Sequence, residues 1–168
     1  MIAALALLLL APGETFPDPI GPAAEGKLQC YSPDRARKLC QALAGYRSDG
    51  KGGFLNDAEV LILPERGLAI RTTTPVAMRD GAVCGQVTRD AYEKAEFRVN
   101  GELLPAEKAG PLRDALVRAS AALFDREICT RYPQSGDHLV AKGTMGGEAM
   151  PDQEVIWVST DEGWRIGS

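Results

Sequence analysis

Cys30-Tyr31-Ser32-Pro33-Asp34-Arg35-Ala36-Arg37-Lys38-Leu39-Cys40-Gln41-Ala42-Leu43-Ala44-Gly45 is the stretch on which the reading of the fold turns. Ser32 supplies a capping hydroxyl, Pro33 stands where a first helical residue belongs, and Asp34 sets a carboxylate at the positive end of the helix dipole. Ala36, Leu39, Cys40, Leu43 and Ala44 recur at helical spacing, with Arg35, Arg37, Lys38 and Gln41 on the opposite side. The spacing predicts a helix that ends at Gly45 and carries Cys40 on its inner face.

Outward from this segment the periodicity changes. Between Gly45 and Leu104 short apolar or alternating runs are separated by turn signals, the pattern of antiparallel strands. Residues 58–63 and 68–74 flank Pro64-Glu65-Arg66-Gly67, while Asp80-Gly81 and Asn100-Gly101 readily supply the positive backbone angles of tight hairpin turns. Thr88 can cap a short helical turn over residues 89–95. Residues 105–124 read as a second helix, with Leu112, Leu116, Ala119 and Leu123 on one side and Gly110-Pro111 as a kink or restart. Three further strands are expected over residues 127–131, 138–142 and 154–159. Helices and strands are segregated, so the expected fold class is α+β: an antiparallel sheet of hairpins with two main helices packed on one face.

The chain of 168 residues fits one domain. Its composition, 45% apolar and 25% charged, is that of a globular protein. Nineteen basic and twenty-three acidic side chains leave a net charge of −4, with no basic cluster beyond Arg35, Arg37 and Lys38, so nucleic acid is not an expected partner. Residues 2–11 are an apolar run of ten, too short for a bilayer, which takes about twenty. Followed by Pro12-Gly13 and a Pro-rich stretch, the run reads as the core of a secretory signal, although no Lys or Arg precedes it. Residues 1–25 are therefore read as signal peptide and leader, and 26–168 as the domain, exported to the periplasm or beyond, with no membrane span in its mature form.

Cys30, Cys40, Cys84 and Cys129 all lie beyond this leader, and an even count in an exported chain favours disulfides. None forms a C-x-x-C pair, and His138 is the single histidine, which makes structural zinc improbable. Three pairings are possible. Cys30 to Cys40 can close locally, which leaves Cys84 to Cys129.

The remaining motifs are weak. Ser48 to Glu59 places Gly53, Leu55 and Glu59 as a calcium loop would, but Ser48, Gly50 and Gly52 stand where such a loop needs carboxylates or amides. It reads as a glycine-rich turn. Cys129 and His138 suggest a thiolate pair only if Cys129 is reduced. Ser135-Gly136-Asp137-His138 brings triad residue types together on a loop, where neighbours cannot readily face one another. Asp57, Glu59, Glu96, Asp161 and Glu162 are carboxylates by type alone. Trp157 and Trp164 are candidates to line a groove, with Trp157 the better core residue.

The stretches Leu28-Gln29-Cys30-Tyr31-Ser32-Pro33-Asp34 through Cys40, Arg79-Asp80-Gly81-Ala82-Val83-Cys84-Gly85 and Ile128-Cys129-Thr130-Arg131-Tyr132 resemble short exported four-cysteine proteins of alphaproteobacterial type. The resemblance implies export and the four-cysteine framework, and no activity. The functional expectation is a cofactor-free, non-enzymatic binding or structural protein of the periplasm or cell envelope, with an envelope protein or a small ligand as partner. The alternative is a hydrolase using carboxylates or serine.

Overall fold

The computed structural model describes residues 18–168. The chain is mostly β, and its centre is a closed antiparallel barrel of eight strands. These are β1 (Leu28–Tyr31), β2 (Ala42–Ser48), β3 (Phe54–Leu63), β4 (Leu68–Arg79), β5 (Ala82–Gln86), β6 (Glu127–Arg131), β7 (His138–Met145) and β8 (Gln153–Val158). Each strand pairs with the next in the chain, and β8 returns to pair with β1, Tyr31 opposite Val155 and Cys30 opposite Ile156. This is an up-and-down meander in which every barrel strand has a neighbour on both sides.

The expected α+β fold is thereby corrected: the sheet is rolled on itself, and no helix spans residues 32–44. That segment instead leaves β1 through Ser32, whose φ is +48°, and forms a tight loop closed by reciprocal bonds between the backbones of Asp34 and Leu39. Asp34 does not cap a helix. Its carboxylate accepts from the Arg37 backbone N–H at 3.0 Å and from the Arg37 guanidinium at 2.6 Å, and Lys38 turns the chain at φ +53°. Ser, Asp and Asn side chains favour such local turns as readily as they favour caps. Beyond the loop the true period is two: Ala42, Ala44 and Tyr46 face inward, whereas Leu43, Gly45 and Arg47 face outward. Gly45 lies in mid-strand, where a Cβ would stand 2.9 Å from Leu28 Cδ2.

The hairpins follow their turn residues. Asp80 and Gly81 (φ +49° and +74°) join β4 to β5, and Asn100 and Gly101 (φ +50° and +86°) join a small hairpin, Glu96–Val99 with Glu102–Leu103. Positive φ at both central residues gives the twist that tight hairpins require. This small hairpin belongs to the single long excursion, between β5 and β6, which also holds α1 (Arg89–Glu93) and α2 (Ala106–Ala119). Thr88 caps α1, its Oγ1 accepting from Ala91 N–H at 3.2 Å. α2 runs through Pro111 and lays Ala109, Leu112 and Leu116 on Phe97, Leu68 and Ile70, an apolar compartment closing one side of the barrel. Arg113 fastens it by donating to the Ala95 carbonyl at 3.0 Å.

Two disulfides are present. Cys84 and Cys129 face each other across β5 and β6 on the outer wall. Cys30 and Cys40 tie β1 to the short strand Leu39–Cys40, which pairs in parallel with Arg165–Ile166, and both sulfurs are fully buried beside Val158 and Trp164. The expected leader falls largely outside the described residues. Of its remainder, Ile20 is fully buried and Ala23 nearly so, both within the same core cluster as Tyr46, Tyr132 and Val155.

Candidate functional site

Alternation along the barrel strands decides what the interior holds. On β4 the inward residues read Leu68, Ile70, Thr72, Thr74, Val76 and Met78. The inside of a small barrel is usually filled by apolar side chains, or holds one small ligand. Here two threonines interrupt the apolar run. At the same level Gln29 and Tyr31 come inward from β1, Tyr46 from β2, Asn56 from β3 and Thr130 from β6, with Tyr132 just beyond it. Asn56 stands opposite Tyr46 on one side and Thr74 on the other. Among these hydroxyls the lumen holds a partly open cavity of about 260 Å³, with Val76, Val83 and Ile128 as its apolar walls.

Gly85 lets β5 lie close against β4 in the wall of that cavity. A Cβ there would lie 2.9 Å from Val76 Cγ1 and 3.0 Å from the Pro75 carbonyl, so a larger residue would press into the wall. The cavity is bounded on one side by Val87, Thr88 and Tyr92, at the start of α1. The cause lies in the pairing of β4, which joins β5 over residues 76–79 and the small hairpin over residues 68–71. Residues 72–75 between them have no strand on that edge among the described residues. Pro75, which has no N–H to donate, sits in that stretch.

Three of the four tyrosines form one hydrogen-bonded cluster around a buried amide. Tyr31 and Tyr46 both donate to Gln29 Oε1, at 3.1 and 2.9 Å. Tyr31 and Tyr132 hydroxyls lie 2.6 Å apart, and Tyr46 and Tyr132 hydroxyls 3.5 Å apart. Gln29 is wholly buried, and its Nε2 has no hydrogen-bond partner among the described residues. Burial pushes the phenols of Tyr31 and Tyr46 well above their ordinary range, with the Tyr132 phenol adding to the effect in both. Burial raises Tyr132 as well, partly offset by its polar neighbours, Tyr31 first. Phenols shifted upward stay neutral at physiological pH and cannot serve as general bases there. Among the described residues no Asp, Glu, Lys, Arg or His lines the cavity. The arrangement can hold a neutral molecule by shape and hydrogen bonds.

The residues singled out in the sequence lie elsewhere. Asp57 and Glu59 project from the outer face of β3. Asp57 is held ionised, its burial outweighed by hydrogen bonds from Thr73 and Arg47. It shares an outer depression of about 380 Å³ with Glu96, Arg71 and Lys94. Glu59 and Glu96 flank Arg98, at 4.0 and 3.5 Å. Glu162 closes a capping box with Ser159 in the turn that also holds Asp161. Asp49 of the glycine-rich loop accepts from the backbone N–H groups of Lys51 and Gly53 at 2.7 and 2.9 Å, so this carboxylate holds a turn. Among the described residues no cluster of three His, Cys, Asp or Glu side chains is arranged to hold a metal ion. His138 meets Asp137 at 3.2 Å on the surface, and Asp137 also pairs with Arg35. Trp157 packs against the main core and Trp164 against the Cys30–Cys40 cluster.

A larger depression, about 970 Å³, lies on the outer wall above Cys84 and Cys129. Arg79 pairs with Glu127 there, and Lys142 with Asp152 at 3.3 Å. Two ion pairs thus sit on this outer wall, whereas the lumen gathers hydroxyls and amides from six strands around one cavity with no ionised group in its lining among the described residues. The lumen is therefore the candidate site. Tyr31, Tyr46 and Tyr132 escaped the sequence reading because up to 101 residues separate them; the available signal was polar residues at alternate positions, Gln29 with Tyr31 and Thr72 with Thr74. Comparison of the chain with protein families, with curated proteins and with solved structures finds no match.

Proposed function

We propose that this protein is a non-enzymatic binding protein that holds one small uncharged molecule inside its barrel. The observation that carries the reading is the lumen itself: a cavity of about 260 Å³ lined by tyrosine, threonine and asparagine side chains and by no ionised group among the described residues. Its size falls near the low end of pockets that take small organic ligands. Leaving such hydroxyls unpaired within a barrel costs stability unless water or a ligand satisfies them. Its place of action is the periplasm or cell envelope. That reading draws on the apolar run at residues 2–11 and on two disulfides, which persist in oxidising compartments. Among the described residues no helix is long and apolar enough to cross a membrane.

A fragment screen observed by protein NMR tests the reading. Compact uncharged molecules are expected to shift the backbone amides of Thr72, Thr74, Gly85 and Thr130. Thr74→Leu, which puts a branched apolar side chain into the cavity, is expected to abolish those shifts. Shifts confined to the outer wall around Cys129 and Met150, or none with any fragment, would overturn it.

A further inference from the structure

Beside the lumen the barrel wall is interrupted on one edge of β4. That edge pairs with β5 from Val76 onward, where Gly85 stands opposite, and with the small hairpin up to Arg71, where Glu96 stands opposite. Between these pairings residues 87–95 arch past residues 72–75 and carry α1. No backbone hydrogen bond joins the arch to residues 72–75 among the described residues. The exposure of the lining points to this side as the mouth of the cavity. Gln86, at the foot of the arch, lines it and is exposed, while Thr72, Thr88 and Tyr92 line it half-buried. On the far side Tyr46 and Tyr132 are buried, and the fully buried Ile20 packs in the same cluster.

The arch is held firmly at its ends and lightly in its middle. At one end the Val87 N–H donates to the Arg126 carbonyl at 3.0 Å, and the Val87 carbonyl accepts from the Asp125 N–H at 2.9 Å. At the other, Ala95 is fully buried and its carbonyl takes the bond from Arg113. Of α1 itself only Ala91 is buried. Its other side chains reach Phe124: the Tyr92 ring meets that ring edge to face, centroids 5.6 Å apart, and the Arg89 guanidinium lies 5.0 Å from the same centroid. The Tyr92 hydroxyl also hydrogen-bonds Ser120. Such ring contacts are modest, and segments held by few buried contacts are the ones that open locally. Phe124 does not line the cavity, so it can be changed without touching the site.

We propose that α1 is the gate of the lumen: a small molecule enters and leaves between residues 72–75 of β4 and α1, and Phe124 holds α1 closed. The proposal rests on the lumen-binding reading and adds the route by which that site is filled. The competing route runs through the far end of the barrel, past Ile20.

A thiol placed in the lumen tests the route without needing a ligand. The native cysteines are all disulfide-bonded, so Thr74→Cys supplies the one thiol, in the cavity lining. Its modification by methyl methanethiosulfonate, a compact uncharged reagent, is followed by intact mass in the full folded chain. Adding Phe124→Ala is expected to speed modification about threefold to tenfold, the worth of the lost ring contacts. Adding Ile20→Ala instead, which loosens the far end, is expected to speed it less, although Ile20 is the more buried residue. Equal or greater acceleration by Ile20→Ala, no effect of Phe124→Ala, or no modification of any variant overturns the gate. Excess indole is expected to slow modification by occupying the lumen. If neither indole nor any other uncharged fragment slows it while Phe124→Ala still speeds it, the opening stands and the lumen-binding reading is what fails. If a fragment slows it and Phe124→Ala does not speed it, the gate fails alone.

Discussion

The barrel has two interiors built from one face of the same strand. Toward its start β4 sends Leu68 and Ile70 into a compartment completed by Phe97, Ala95 and Ala109 under α2, which is apolar throughout. Two residues further along, Thr72 and Thr74 enter a compartment of tyrosines, an asparagine and a cavity of about 260 Å³. The strand runs on unbroken, so the difference lies in its side chains and in what covers them: the small hairpin and α2 lie over residues 68–71, and no strand pairs that edge over residues 72–75 among the described residues. Apolar burial contributes stability in proportion to area, whereas buried hydroxyls roughly break even when satisfied and cost when they are not. The first compartment is apolar packing alone; the second joins an apolar cluster around Ile20, Val83 and Val155 to polar groups that apolar burial does not require.

Alkaline titration separates the two most sharply. The phenols of Tyr31, Tyr46 and Tyr132 are raised in the folded chain, primarily by burial, above the value near 10 of an unfolded tyrosine. Their contribution to stability is therefore intact below about pH 10 and is lost as pH rises beyond it, because only the unfolded chain ionises readily. Phenolate absorbance is expected to rise together with loss of the far-ultraviolet β signal. Ionisation of these tyrosines within an intact barrel would contradict the buried cluster.

Phe97→Ala is expected to destabilise by about 3–5 kcal/mol in denaturant unfolding, since this ring is 1% exposed at the centre of the apolar compartment. Ile20→Ala is expected to cost about 2–5 kcal/mol, as Ile20 is fully buried in the core cluster that includes Tyr46 and Tyr132. A negligible effect would remove residues 18–25 from the folded domain. Tyr46→Phe is expected to cost only about 1 kcal/mol, because Tyr31 still donates to Gln29 Oε1. A loss as large as that of Phe97→Ala would make the polar cluster a structural core and erase the distinction.

The two compartments were also unequally legible in the sequence. α2 could be read because Leu112 and Leu116 recur at helical spacing, and the small hairpin because Asn100-Gly101 encodes its own turn. Both signals are local. Residues 32–44 misled because Ala36, Leu39, Cys40, Leu43 and Ala44 fit a helical stripe, while the Asp34–Leu39 loop depends on a reciprocal backbone pairing that spacing does not reveal. Closure of β8 on β1 joins Tyr31 to Val155 and has no local signature at all. The tyrosine cluster depends on that closure, so it became visible only with the fold.

The central claim is that the hydroxyl-lined lumen is open space kept for a ligand. Unfolding of Thr74→Leu in denaturant, with and without an uncharged fragment that shifts the Thr72 and Thr74 amides, tests it most directly. Filling the cavity is expected to leave stability unchanged or higher and to abolish the stabilisation that fragment gives the natural chain. A loss of about 3 kcal/mol or more, as overpacking of a filled core produces, with the fragment's stabilisation retained, would contradict it.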